Sequence, residues 1–139
     1  MSFREKTAWV SLLATSGVWG VYFWRLWPDL QDRSLQPGSV GLFIGGVAIL
    51  TIIQIIVAIA LALASGKAAD APMDEREQLI DLKGSRAGFY ALNAACFCAS
   101  ALWLIGASPL VMANAILAAM VVGEVIRSGF VIVGYRRGV

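Results

Sequence analysis

Histidine is absent from the 139 residues, which removes the usual haem ligand, the usual proton shuttle and most catalytic metal sites. Cysteine is nearly absent too. Cys96 and Cys98 are spaced i, i+2 within an apolar run, so on a helix they point to nearly opposite sides. They can neither form an intrahelical disulfide nor chelate one metal, and they read as small packing residues. A membrane thiol oxidoreductase, which needs a cysteine pair at a membrane surface, is excluded with them. Charge is also scarce, at 14% of the chain, against about 25% in soluble domains. With 59% apolar residues and a mean hydropathy of +0.76, the composition is that of an integral membrane protein, and its length fits one domain, residues 1–139. The net charge is only +2 and the basic residues are spread over chain ends and loops. Nothing suggests a nucleic-acid surface.

What is present is a set of four apolar runs, roughly 7–27, 39–65, 87–107 and 109–135. Arg4 and Lys6 precede the first, as in a signal peptide, but no small-residue cleavage site follows. Instead the run ends in Tyr22-Phe23-Trp24-Arg25-Leu26-Trp27-Pro28. That series reads as an interfacial aromatic belt followed by a helix stop at Pro28, so the segment is expected to be retained. Residues 28–38 then read as a polar loop closed by Pro37-Gly38, and Gly106-Ala107-Ser108-Pro109 as a tight turn joining the last two spans.

Arg4, Lys6, Lys67, Arg76, Lys83, Arg86, Arg136 and Arg137 fall on one side of such an arrangement, and Arg25 and Arg33 on the other. The positive-inside rule places both termini and the 66–86 segment in the cytoplasm and predicts a single orientation. The expected fold is all-α: an integral membrane four-helix bundle of two in-out-in hairpins, with a short amphipathic cytoplasmic helix between them. Ala87, Ala91, Ala95 and Ala99 on span three, and Ala115, Ala119 and Gly123 on span four, repeat every four residues. Small residues at that period let helix backbones approach where lipid removes the hydrophobic drive. Glycines 17, 20, 41 and 45 offer a weaker version on spans one and two.

Polar residues inside the runs are few, and apart from Arg25 near the end of the first run only two of them are charged. Glu124 and Arg127 are the charges in the stretch from Leu110 to Tyr135. Counted from Arg136 at about 1.5 Å per residue, Glu124 lies roughly 18 Å in, near the midplane of a core about 30 Å thick. A charge there costs a few kcal/mol or more and needs a partner; Arg127, three residues on, shares its face. The spacing points first to a structural ion pair inside a bundle, with a proton or cation site as the sharper alternative. Gln54 is expected at the depth of Glu124 and Asn93 near that of Arg127, so contacts Gln54–Glu124 and Asn93–Arg127 would satisfy the cluster. Asn114, nearer the outer surface, is expected to support the hairpin turn.

In the 66–86 segment, Asp74-Glu75-Arg76-Glu77 has the form of a capping box, with Asp74 at the N-cap. Met73, Leu79, Ile80 and Leu82 give an apolar edge to a short helix expected to break or bend at Gly84. The run Asp74-Glu75-Arg76-Glu77-x-Leu79-Ile80-x-x-Lys83-Gly84-x-Arg86-x-Gly88-x-Tyr90 resembles a group of uncharacterised small bacterial inner-membrane proteins with a cytoplasmic Asp-Glu-Arg motif. So do Ala113-Asn114, Glu124-x-x-Arg127-Ser128 and Tyr135-Arg136-Arg137-Gly138. Members are often encoded beside helix-turn-helix regulators. The resemblance covers the second half of the chain by motif and the first half by hydropathy. It implies a bacterial inner-membrane location and a partner, not a reaction.

No catalytic set, phosphate loop, metal cluster or cofactor motif is visible. The expectation is therefore a regulatory or scaffold membrane protein rather than an enzyme. Asp74, Glu75, Arg76, Glu77 and Arg86 are its candidate partner-binding residues, and Glu124, Arg127, Gln54 and Asn93 its intramembrane polar cluster. The expected partners are the bilayer, a protein at the cytoplasmic face and a second copy of the chain. The alternative is a small oligomeric proton- or cation-coupled transporter using Glu124, whose carboxylate would have to exchange its proton or ion during turnover.

Overall fold

A computed structural model of the chain describes residues 3–32, 37–65 and 74–137. Four long helices make up almost all of them: α1 Phe3–Asp32, α2 Pro37–Ser65, α3 Glu75–Ala101 and α4 Pro109–Arg137. A single 3₁₀ turn, Leu102–Ile105, continues α3. Met73 and Lys67, given roles above, lie outside the described residues, as do residues 33–36.

Local signals account for most of the helix ends. Asp74 has an extended backbone, φ −66° and ψ 153°, and its carboxylate accepts from the Glu75 N–H at 2.8 Å. Its own carbonyl accepts the first helical bond, from Gln78. At the other end, Gly106 adopts φ 70°, a left-handed conformation that costs glycine nothing. The Gly106 N–H donates to Trp103 O at 3.0 Å and that of Ala107 to Leu102 O at 3.1 Å, closing the helix as a Schellman motif. Ser108 then caps α4, its Oγ accepting from the Val111 N–H at 3.4 Å with Pro109 as the first helical residue. One helix stops and the next starts within three residues.

Two boundaries differ from expectation. Pro28 does not stop α1, which runs on to Asp32. A proline removes one backbone donor and crowds the carbonyl four residues back, and so close to the helix end there is little further helix to disrupt. Pro37 begins α2 instead of closing a loop, as suits a residue whose missing N–H would be unsatisfied there anyway. The expected break at Gly84 is also absent. Residues 75–101 form one unbroken helix, so there is no separate short amphipathic helix.

The helices lie in the order α3–α4–α1–α2, with α4 packed on both α3 and α1, and α2 chiefly on α1. Between α3 and α4 the seam is made by glycine. A Cβ added at Gly84 would come within 2.7 Å of Val131 Cγ2, and one at Gly88 within 2.7 Å of Arg127 Cβ and 2.9 Å of Gly123 O. At Gly123 it would meet Leu92 Cβ at 3.0 Å, and at Gly134 Ile80 Cγ2 at 2.8 Å. Ala99 and Ala119 are also buried, while Ala87, Ala91, Ala95 and Ala115 are only half-buried. The seam thus follows the Gly84-x-x-x-Gly88 pair rather than the alanine ladder, because only the missing Cβ admits backbone contact this close. Gly84 serves this contact and not a bend.

Around α1 the packing is aromatic. Trp19, Tyr22 and Leu26 are buried, with Leu50 of α2 and Leu117 and Val121 of α4 against them. Trp19 and Tyr22 meet edge-on at 5.3 Å between ring centroids, and Phe43 of α2 packs on both.

Among the described residues, three segments are long and apolar enough to cross a membrane: Gly41–Ala60, Glu75–Ile105 and Pro109–Arg137. α1 has the length, at 30 residues, but Trp, Ser, Thr and Gly dilute its aliphatic residues below the apolarity of the others. The first expected span, 7–27, thus lies on a helix long enough to cross but more mixed in composition than the other three.

Candidate functional site

The polar centre of the molecule is assembled on α4. Glu124, Arg127 and Ser128 stand at i, i+3 and i+4, hence on one face. Ser128 Oγ donates to Glu124 Oε1 at 3.3 Å, and Ser11 Oγ, from α1, donates to the same oxygen at 3.1 Å. Arg127 Nη1 lies 3.7 Å from Glu124 Oε2. Its other terminal nitrogen, Nη2, donates to Asp81 Oδ1 of α3 at 3.5 Å. One guanidinium therefore sits between two carboxylates on two helices. The glycine seam makes this possible, since the Arg127 stem occupies the space a side chain at Gly88 would take. Ser128 is buried, whereas the Arg127, Asp81 and Glu124 side chains are 46%, 45% and 34% exposed.

The partners expected from sequence are replaced. Gln54 is exposed on α2, the helix farthest from α3, and Glu124 is held by Ser11, Ser128 and Arg127 instead. Asn93 does not reach Arg127; its amide donates to Phe89 O in its own helix at 2.8 Å. A short polar side chain on a helix in apolar surroundings readily bonds the carbonyl one turn back. Asn114 does not support the hairpin turn. It is buried, accepts from Tyr22 Oη at 2.8 Å and donates to Leu110 O, so it ties α1 to α4. Sequence reasoning missed Ser11, Asp81 and Tyr22. Ser11 and Thr15 at i, i+4 on α1 were the available signal, matching Glu124 and Ser128 on α4.

Contacts along the seam fix an antiparallel register in which Ile80 faces Gly134, Gly84 faces Val131 and Leu92 faces Gly123. Ser11–Glu124 and Tyr22–Asn114 do the same for α1 and α4. Glu124 is thus level with Ser11, about 8 Å along α1 from Lys6. That is nearer the charged end than counting back from Arg136 suggests. Near it, Trp9 Nε1 and Thr15 Oγ1 of α1 are buried without a hydrogen-bond partner. The Arg136 guanidinium lies over the Trp9 ring, 5.2 Å from its centroid.

At the same end of the molecule, the first turns of α3 expose Asp74, Glu75, Arg76 and Arg86, with Glu77 half-buried. Leu79 and Leu82 stand among them, 54% and 47% exposed, while Ile80 packs against Gly134. As chemistry, the Glu124 cluster is a carboxylate fixed by two hydroxyls and a cation. A guanidinium already occupies the position between its two acidic groups, which opposes a metal ion there. Among the described residues no group of three His, Cys, Asp or Glu side chains could hold a metal. Compared with known proteins, the chain matches no family model, no curated protein and no solved structure.

Proposed function

We propose that the chain is a non-catalytic regulatory or scaffold protein of the bacterial inner membrane, contacting a protein partner through the charged end of α3. The observation that carries this reading is a mismatch of length. Residues 75–105 are continuous helical structure, about 46 Å at 1.5 Å per residue, against a hydrocarbon core of about 30 Å. The excess is the Asp74–Arg86 end, where Leu79 and Leu82 are exposed among acidic and basic residues.

The four helices support a common membrane frame. α1 is packed between α2 and α4, so it shares their depth despite its mixed composition. Its uncharged residues 7–24 rise about 27 Å between Lys6 and Arg25, close to one hydrocarbon thickness. Lys6, Arg86, Arg136 and Arg137 then fall toward one side, which the positive-inside rule assigns to the cytoplasm. Glu124 and Arg127 lie within the frame near that side, with Arg127 reaching outward to Asp81 as a snorkelling cation does. The sequence resemblance described above supports the bacterial assignment.

A photo-cross-linker at Leu79 or Leu82, in cells making the full chain, should give a discrete protein adduct that Arg76→Glu with Arg86→Glu removes. The same probe at Phe97, exposed in the apolar stretch toward the far end of α3, should give lipid adducts only. Identical products at Leu79 and Phe97 would overturn the docking role. One observation favours proton or cation transport as a second reading: Thr15, one turn from Ser11, has a buried hydroxyl with no partner. Flux across liposomes that Glu124→Gln abolishes while leaving the protein folded would select that reading.

A further inference from the structure

We propose that the cleft between α1 and α2 holds an acyl chain of a net-anionic phospholipid, with Arg25 binding its phosphate. The inference rests on the membrane-spanning reading above and is independent of any partner at α3. The cleft is open along one side and has a volume of about 580 Å³, within the range of small-molecule sites. Its floor is glycine: Gly17 from α1 and Gly41, Gly45 and Gly46 from α2. A Cβ added at Gly17, Gly41 or Gly45 would meet nothing within 4 Å, and at Gly46 only Trp19 and Val18 at 3.8 Å. These glycines do not draw the two helices together, unlike those between α3 and α4. They leave room for something else.

The lining says what. Apart from Arg25 and the Tyr22 hydroxyl, which Asn114 already occupies, it is apolar. Arg25 is exposed and stands at the end of the cleft farthest along α1. From Gly17 to Arg25 the slot runs about 12 Å along the helix. An open apolar groove of that length suits extended hydrocarbon laid along the helix. In the membrane frame the slot lies at acyl depth and Arg25 at the headgroup level away from the chain termini. A guanidinium binds phosphate through charge-assisted, often bidentate hydrogen bonds. A second copy seated symmetrically on this face would instead bring like charges at Arg25 together.

Native mass spectrometry of the full chain in detergent, titrated with phosphatidylglycerol, phosphatidylcholine and diacylglycerol, tests this. One phosphatidylglycerol should be retained per chain, in preference to the other two lipids, and inorganic phosphate should not displace it. Arg25→Gln should weaken retention about tenfold. Gly45→Leu should abolish it with helicity and melting temperature unchanged, and Gly17→Leu, filling the slot from α1, serves if that variant fails to fold. Equal retention of all three lipids, or retention indifferent to these variants, would overturn the proposal. So would Gly45→Leu converting a dimer to a monomer with lipid still bound, which would assign the cleft to a second copy. Flotation with liposomes separates the two readings: a chain that floats but retains no lipid loses this site alone, and one that does not float loses the membrane reading.

Discussion

The two helical hairpins use the same residue in opposite ways. Between α3 and α4, Gly84 and Gly88 lie against Val131, Arg127 and Gly123, and even one added carbon would collide with them. Between α1 and α2, Gly17, Gly41 and Gly45 face open space, although 41 and 45 have the same four-residue spacing. The difference lies in what stands opposite. α4 offers Gly123 and the Cβ of Arg127 to its partner, so backbones meet. α1 offers Trp19 and Tyr22, whose rings pack on Phe43 and hold α2 at side-chain distance. A spacing of small residues therefore permits close approach, and the facing helix decides whether it happens.

The contrast can be broken most directly at Gly88. Gly88→Leu should destabilise the protein by about 3 kcal/mol, the upper end of the usual cost of overpacking, read as a lower melting temperature in detergent. The same change at Gly45 should leave melting nearly unaltered. Equal losses would mean that the α1/α2 hairpin is packed as tightly as α3/α4.

A smaller effect is expected at the charge cluster, which the Gly88 contact positions. Arg127→Leu strips the cation from between Asp81 and Glu124 and should cost about 2 kcal/mol. That is less than for a fully buried pair, because these side chains are partly exposed. Adding Glu124→Gln should restore much of the loss, since a neutral amide can still accept from Ser11 and Ser128. A double variant no better than Arg127→Leu alone would mean the two do not act as a unit.

On the open hairpin, Tyr22→Phe leaves the Asn114 oxygen buried without its donor and should cost about 1 kcal/mol. A loss as large as that at Gly88 would show that α1 depends on this one bond. The smallest effect has the opposite sign. Gly41→Ala should stabilise by about 0.5 kcal/mol through helix propensity alone, whereas Gly84→Ala should destabilise. A shared sign at these positions would erase the distinction between the hairpins.

The helices themselves and the turn at Gly106–Pro109 were legible because each rests on local chemistry: apolar runs, an acidic cap at Asp74, a glycine stop and a serine–proline start. The α3/α4 pairing is legible as well, and Gly123 with it, but on α3 the spacing points to the alanines rather than to Gly84 and Gly88. Gly84 looked like a breaker beside charged residues, and only the facing Val131 and Arg127 reveal that it is a contact. The Glu124–Arg127 proximity follows from helix period. Its remaining partners do not, because Ser11 and Glu124 are 113 positions apart and a serine in an apolar run looks like filler. Gln54 and Asn93 were assigned by depth alone. Depth fixes height along a helix and says nothing about which way a side chain faces or which helices are neighbours.

The position of α4 bears on how the molecule is made. It is the last of the four helices to leave the ribosome, yet both α3 and α1 pack against it. α3 meets it at once across a three-residue turn. α1 must wait through the synthesis of three further helices before Tyr22 can reach Asn114, 92 positions away. Until then the buried face of α1 has only α2 to cover it. A ribosome that stalls within α4 would thus leave an unfinished assembly whose exposed Trp19 and Tyr22 give membrane chaperones and proteases a means to distinguish it from the completed protein.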